Sequence, residues 1–234
     1  MWRENRALLI RGARALAAIP GEFVFVGGCT TGLLITDTEA PDVRATRDVD
    51  VIVEIASRSE YYALAGSLRA NGFTEDREVI CRWRSKQILI LDLMPPTDSQ
   101  ILGFSNPWYR AAVANATERE LEPGLTIRVV TPPYFCATKI VAFHGRGKGD
   151  YMASHDIEDL LTVVDGRREL AGEIRLAEPD VRRYVATEMR TFIAQPEFMD
   201  ALPECLRPDA SSQARLPMVM ERLYEIASAD TDSN

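Results

Sequence analysis

Short alternating or continuous hydrophobic runs, interleaved with stretches of helical spacing, fill the chain before residue 132, and from there on the strand signals vanish and the spacing is helical. Leu8, Leu9, Ala13, Leu16 and Ala17 lie on one face of a helix predicted from Arg3 to about Ile19 and stopped by Pro20-Gly21. A short strand over 23–26 breaks at Gly27-Gly28 into a helix start predicted over 29–35, and a loop runs through Pro41. A strand over 48–54 leads to a helix over 59–70, closed by Asn71-Gly72. Strands near 78–84 and 87–94, a short helix over 107–114 and a strand over 125–130 follow. Residues 134–144, 154–164, 168–176, 180–194 and 217–227 all have helical periodicity. Strands first and helices afterwards predict an α+β fold, with a mixed sheet and flanking helices over 1–131 and a helical part over 132–227. Residues 228–234, small and polar, are expected to form a disordered tail.

The 234 residues, 46% hydrophobic, suffice for a substantial core. No run is apolar for long enough to span a bilayer, and the first residues lead into an amphipathic stretch rather than a signal-peptide core. A cytoplasmic protein is expected. Four scattered cysteines (Cys29, Cys81, Cys136, Cys205) and two histidines offer neither zinc-ligand spacing nor a disulfide framework. Neither histidine accompanies a nucleophile elbow. A net charge of −8 argues against a broad nucleic-acid footprint. Local basic groups remain: Arg82, Arg84 and Lys86 alternate along one strand face, and Arg146 and Lys148 share a glycine-rich loop. Each group reads equally as ordinary solvated surface.

The stretch Arg44-Ala45-Thr46-Arg47-Asp48-Val49-Asp50-Val51-Ile52-Val53 carries the candidate chemistry. Side chains alternate along a strand, so Asp48 and Asp50 point one way while Val49, Val51 and Val53 face the core. Asp92 interrupts an otherwise apolar strand, where a carboxylate is penalised unless it is paired or bound to metal. Its bland alternative is a strand end turning outward before Pro95-Pro96. Converging carboxylates require a cation, and three aspartates on neighbouring strands suit two Mg²⁺ ions about 4 Å apart. Asp92 on the far side of the sheet from the other two, or salt links to arginines quenching the trio, would sink the catalytic account built on bound cations. Upstream, Gly27 and Gly28 would let backbone N–H groups approach a phosphate, with a hydroxyl from Thr30 or Thr31.

A glycine turn, D-x-D on the next strand and a third aspartate resemble the nucleotidyltransferase superfamily of DNA polymerase β type. Within it the chain is most similar to the AbiEii-like toxin nucleotidyltransferases, on Gly-Gly-Cys-Thr-Thr at 27–31, Arg44-x-Thr46-x-Asp48-x-Asp50, Lys139 and the acidic segment around Asp156, Glu158 and Asp159. That resemblance covers roughly residues 23–165. It implies a nucleotidyltransferase-type sheet, Mg²⁺ held by Asp48, Asp50 and Asp92, and an NTP contacted by Gly27, Gly28, Thr30 or Thr31 and Lys139. NMP would pass to an RNA or tRNA end or a protein, with loss of pyrophosphate and an antitoxin as a partner. A small aminoglycoside-like acceptor is the first alternative, and a non-catalytic binding module is the second. Asp156 and Asp159, at i and i+3 on one helix face, either assist the reaction or pair with Arg146 or Lys148. His155 reads as a surface or capping residue. Cys29 separates the glycines from the threonines, and the loop from Gly28 to Asp48 is longer than in minimal members, long enough to shape the acceptor side.

Overall fold

The computed structural model describes residues 1–55, 57–85, 89–95, 106–147 and 149–231. They form two compact units, Met1–Gly32 with Arg44–Thr131, and Leu33–Val43 with Pro132–Asn234. No helix among the described residues is long and apolar enough to cross a membrane.

The first unit is built on a seven-stranded mixed sheet. After α1 (Trp2–Leu16) come β1 (Phe23–Val26), a 3-10 turn (Gly28–Thr30) and the start of α2 (Thr31–Leu34). Then follow β2 (Asp48–Val53), α3 (Arg58–Ala70), β3 (Phe73–Glu75), β4 (Arg82–Ser85), β5 (Ile90–Met94), α4 (Tyr109–Ala114), β6 (Thr117–Glu122) and β7 (Leu125–Val129). Strand order is β3-β4-β5-β2-β1-β7-β6. The central strands β2 and β5 run parallel, as do β1 and β7, while the remaining neighbours are antiparallel. Val49, Val51, Leu91 and Val24 are fully buried, as expected where both sheet faces are covered. α1 packs on the Val49 face, since a Cβ on Gly12 would lie 3.2 Å from Val49 Cγ1.

Two strands escaped the sequence pattern. β6 reads Thr-Glu-Arg-Glu-Leu-Glu, with its first four residues exposed and only Leu121 buried, so it carries no alternation to detect. Charged side chains suit an edge strand, because they discourage pairing with another chain. β3 has only three residues. The helix expected over 29–35 is a 3-10 turn followed by the four-residue α2.

The second unit is helical: α5 (Pro132–Arg146), α6 (His155–Gly166), α7 (Leu170–Leu176), α8 (Pro179–Ala194), α9 (Pro196–Cys205), α10 (Ala210–Gln213) and α11 (Leu216–Ala227). Prolines at both Pro196 and Pro203 obscured α9 in the sequence. Ser228, Ala229 and Thr231, read from sequence as the beginning of an unordered tail, instead close α11: the Ala229 N–H donates to the Ile226 carbonyl and Ala229 is buried. Residues 232–234 lie outside the described residues.

Leu33–Val43 is strapped to this helical unit. The N–H groups of Thr36 and Asp37 both donate to the Gly166 carbonyl at 2.9 Å. Arg167 Nη1 donates to the Leu34 carbonyl at 2.7 Å, and Arg207 Nη2 to the Asp42 carbonyl at 2.8 Å. Arg215 bridges Asp37 Oδ2 at 2.8 Å and Asp165 Oδ1 at 2.6 Å. The Arg215 hydrogen bond holds the Asp37 carboxyl below its ordinary pKa, whereas burial, only partly opposed by Arg215, raises that of Asp165. Replacing Arg215 with alanine removes charge-assisted bonds worth about 2 kcal/mol in total. Limited proteolysis of Arg215→Ala is therefore expected to cut faster between Leu33 and Val43 than in the wild type; equal rates would show that the strap is held by its backbone bonds alone.

Candidate functional site

β2 and β5 pair in parallel with Asp50 opposite Asp92, and Asp48 lies two residues before Asp50. Strand periodicity therefore places Asp48, Asp50 and Asp92 on one face of the sheet. Asp92 is 7% exposed, whereas Asp48 and Asp50 are half-buried. The alternative in which Asp92 turns outward at a strand end does not hold.

The cation on this face is an arginine. Arg82, first residue of β4, is the register partner of Asp92 and so projects to the same side. Its Nε donates to Asp92 Oδ1 at 2.8 Å and its Nη2 to Asp92 Oδ2 at 2.6 Å. The same Nη2 donates to Asp48 Oδ2 at 2.9 Å. Asp48 Oδ1 accepts from Thr46 Oγ1 at 2.8 Å. The Asp92 hydrogen bond drives the Arg82 pKa upward against the opposing effect of burial. Burial, reinforced by the negative charge of Asp92 and Asp50, pushes the Cys81 thiol up to about 12.

This arrangement answers the electrostatic question differently from the sequence. Closeness of Asp48 and Asp92 is made tolerable by a guanidinium, so it no longer demands a bound metal. As arranged, the residues do not fit a pair of Mg²⁺ ions: both oxygens of Asp92 and both of Asp48 already accept hydrogen bonds. Among the described residues no group of three His, Cys, Asp or Glu side chains converges as a metal site.

β1 ends where the antiparallel register sets Val26 opposite Asp50, and the chain then turns at Gly27 with φ +72° and ψ −169°. That region is essentially reserved for glycine. A Cβ on Gly27 would run into the Asp50 carboxylate, so the missing side chain is what gives Asp50 its place. Gly28 opens the 3-10 turn. Both the N–H (3.1 Å) and the hydroxyl (2.8 Å) of Thr30 donate to the Gly27 carbonyl, which leaves Thr30 no proton for a phosphate. Thr31 differs: its Oγ1 is buried and has no hydrogen-bond partner. With so short a helix behind the turn, the expected phosphate seat lacks the aligned dipoles of a long helix.

Lys139 and Asp156 belong to the helical unit. Ser154 caps α6 by accepting from the Ile157 N–H at 3.4 Å, which sets Asp156 and Asp159 toward α5. Lys139 Nζ donates to Asp156 Oδ1 at 3.1 Å and to Asp159 Oδ2 at 2.5 Å, with all three side chains buried. Arg146 holds both oxygens of Asp156 at 2.8 Å. Burial pushes the Asp156 carboxyl up, but the Arg146 hydrogen bonds and the Lys139 charge outweigh it, and the net shift is downward. The pairing alternative for Asp156 is the one seen. His155 is exposed beside Glu158 at 3.1 Å.

An antigenic nucleotidyltransferase-like protein from Paracoccidioides brasiliensis has a similar structure, with a TM-score of 0.52 at 18% identity over 95% of this chain and 93% of that one. The fold is nucleotidyltransferase-like. JHP933 from Helicobacter pylori aligns at a TM-score of 0.48 and 13% identity, over 98% of this chain and 90% of that chain. No family model matches the sequence, and a search of curated proteins returned no match. At such identities the likeness speaks for the fold alone.

Sequence reasoning missed the role of Arg82, which it grouped with Arg84 and Lys86 as a basic strand face. Arg84 pairs with Asp76 at 2.5 Å and Arg146 with Asp156, while Lys86 and Lys148 lie outside the described residues. The usable signal was the hairpin itself. Strands β4 and β5 are close neighbours in sequence, and an antiparallel register between them sets Arg82 across from Asp92.

Proposed function

We propose that this chain is a nucleotidyltransferase that moves NMP from an NTP to an acceptor hydroxyl and releases pyrophosphate. The reading is supported most directly by three aspartates on one face of two adjacent central strands, beside a glycine whose missing side chain makes room for one of them, within a nucleotidyltransferase-like fold. In such a transfer the acceptor oxygen bonds to the α-phosphorus as the bond to the pyrophosphate oxygen breaks. The hydroxyl proton passes to a carboxylate of the trio. Gly27 and Gly28 would border the nucleotide, and Thr31, with its unpartnered hydroxyl, is the better candidate of the two threonines for a nearby polar contact.

For the acceptor, the AbiEii-like resemblance supports an RNA end or a protein, with an antitoxin as partner. The net charge of −8 and the engagement of Arg82, Arg84 and Arg146 by carboxylates support a small molecule instead. Salt separates the two, because RNA binding weakens steeply as ionic strength rises. A non-catalytic module of the same fold is the second reading, favoured by the guanidinium on two of the three acids.

Purified protein incubated with radiolabelled NTPs and cell extract is expected to label an acceptor. Asp48→Ala should reduce labelling by roughly 100-fold or more. Equal labelling by that variant, or no labelling together with no thermal shift by MgATP or MgGTP, would favour the module.

A further inference from the structure

We propose that Arg82 is a resident counter-ion of the acidic face, a positioning residue that holds Asp48 and Asp92 in place and competes with a divalent cation for their oxygens. The proposal rests on the nucleotidyltransferase reading only for the expectation that a divalent cation is to be bound there.

The geometry is that of a fork. Nε and Nη2 meet the two oxygens of Asp92 at 2.8 and 2.6 Å, and Nη2 reaches on to Asp48 at 2.9 Å. One guanidinium thus links β4 to both acid-bearing strands, β5 and β2. Planar two-point contact of this kind is specific to arginine and orients the carboxylate as well as neutralising it. Side chains that would repel one another are fixed on a common face before any ligand arrives.

A hard divalent ion needs the same lone pairs, at about 2.0–2.1 Å for Mg²⁺. An ion so placed would stand against a guanidinium bonded to the same carboxylates, and the two positive charges exclude each other. Arginine cannot yield by losing its proton, because its pKa lies far above any physiological pH and the acids raise it further. It can only move. The Arg82 side chain is 21% exposed and that of Asp48 30%, against 10% for Asp92, so its outer contact, with Asp48, is the one nearer solvent. Arg82 is also the first residue of β4, directly after a turn in which its N–H donates to the Val79 carbonyl.

The test is Mn²⁺ binding to the full chain by calorimetry, without nucleotide, in the wild type, Arg82→Gln and Arg82→Lys. Arg82→Gln removes the competing charge and, because like charges held side by side repel strongly, is expected to bind Mn²⁺ about 10-fold or more tightly than the wild type. Adding Asp92→Asn to that variant should abolish the gain. Arg82→Lys keeps the charge but loses the fork, and it should fall between the two; it serves alone if Arg82→Gln does not fold. A salt bridge with only a structural role would leave Mn²⁺ affinity unchanged or lower it in the folded variants, and either result overturns the proposal. Its failure is separable from that of the proposed function. Labelling by the wild type with no gain in Mn²⁺ affinity would remove the counter-ion role alone. A gain in Mn²⁺ affinity without labelling would leave that role standing and remove the activity.

Discussion

Replacing Lys139 with methionine is expected to lower the free energy of unfolding by about 3–5 kcal/mol, the usual cost of leaving a buried charge without its partner. Lys139 is 5% exposed, and Asp159, to which its ammonium donates, is 1% exposed. Asp156 keeps Arg146, so the ion pair lost is chiefly the one with Asp159. A loss of that size is a large part of the 5–15 kcal/mol that holds a typical domain together. Urea unfolding at pH 7 measures it directly, and Lys139→Met combined with Asp159→Asn should recover much of the loss. The Asp156 pKa is depressed in the folded protein, so its contribution is complete above the ordinary carboxylate value near 4 and fades as pH falls through the lower folded value. Wild-type stability should therefore decline below about pH 4. An unchanged urea midpoint in Lys139→Met, paired with weakened nucleotide binding, would return Lys139 to the nucleotide-contact role that the resemblance implies.

Gly27→Ala is expected to act on backbone and site together. The conformation at φ +72° and ψ −169° costs an alanine about 1–3 kcal/mol, and the new methyl must displace the Asp50 carboxylate. A displacement approaching 1 Å at a reacting group lowers rates on the order of 100-fold, so labelling should fall by that much beyond the effect on stability. Gly72→Ala separates the two contributions. Gly72 also has positive φ, +83°, but a Cβ there meets nothing within 4 Å. It should show the backbone cost with labelling intact. Full labelling by Gly27→Ala would mean that the place of Asp50 is not set by the turn.

The common face of Asp48 and Asp50 was legible because strand periodicity is local: two residues on, the side chain returns to the same side, whereas the place of Asp92 on that face depends on the β2–β5 register. Asp92 stood out as a charge in a strand whose neighbours are fully buried. Arg82 was invisible for the opposite reason. Its meaning depends on a cross-strand register, and nothing within Arg82-Trp83-Arg84 distinguishes a cation aimed at the acids from one aimed at water. β6 was lost because an exposed edge strand needs no apolar alternation, and α9 because two prolines interrupt its pattern. The division of Thr30 and Thr31, one hydroxyl turned to the Gly27 carbonyl and one without a partner, follows from backbone angles that no composition encodes.

Because Leu33–Val43 is fastened to helices that come much later in the chain, synthesis imposes an order on assembly. Asp37 waits for Arg215, 178 residues downstream. At roughly 5–20 residues per second that interval is on the order of 10–40 s on the ribosome. Until Gly166 and Arg167 are made, the bonds they give to this segment do not exist, and Leu34 and Val43, each 3% exposed in the finished protein, are held by none of them. The nascent segment is thus a sticky, protease-accessible loop for most of translation, and a chaperone that binds short apolar stretches would find it there.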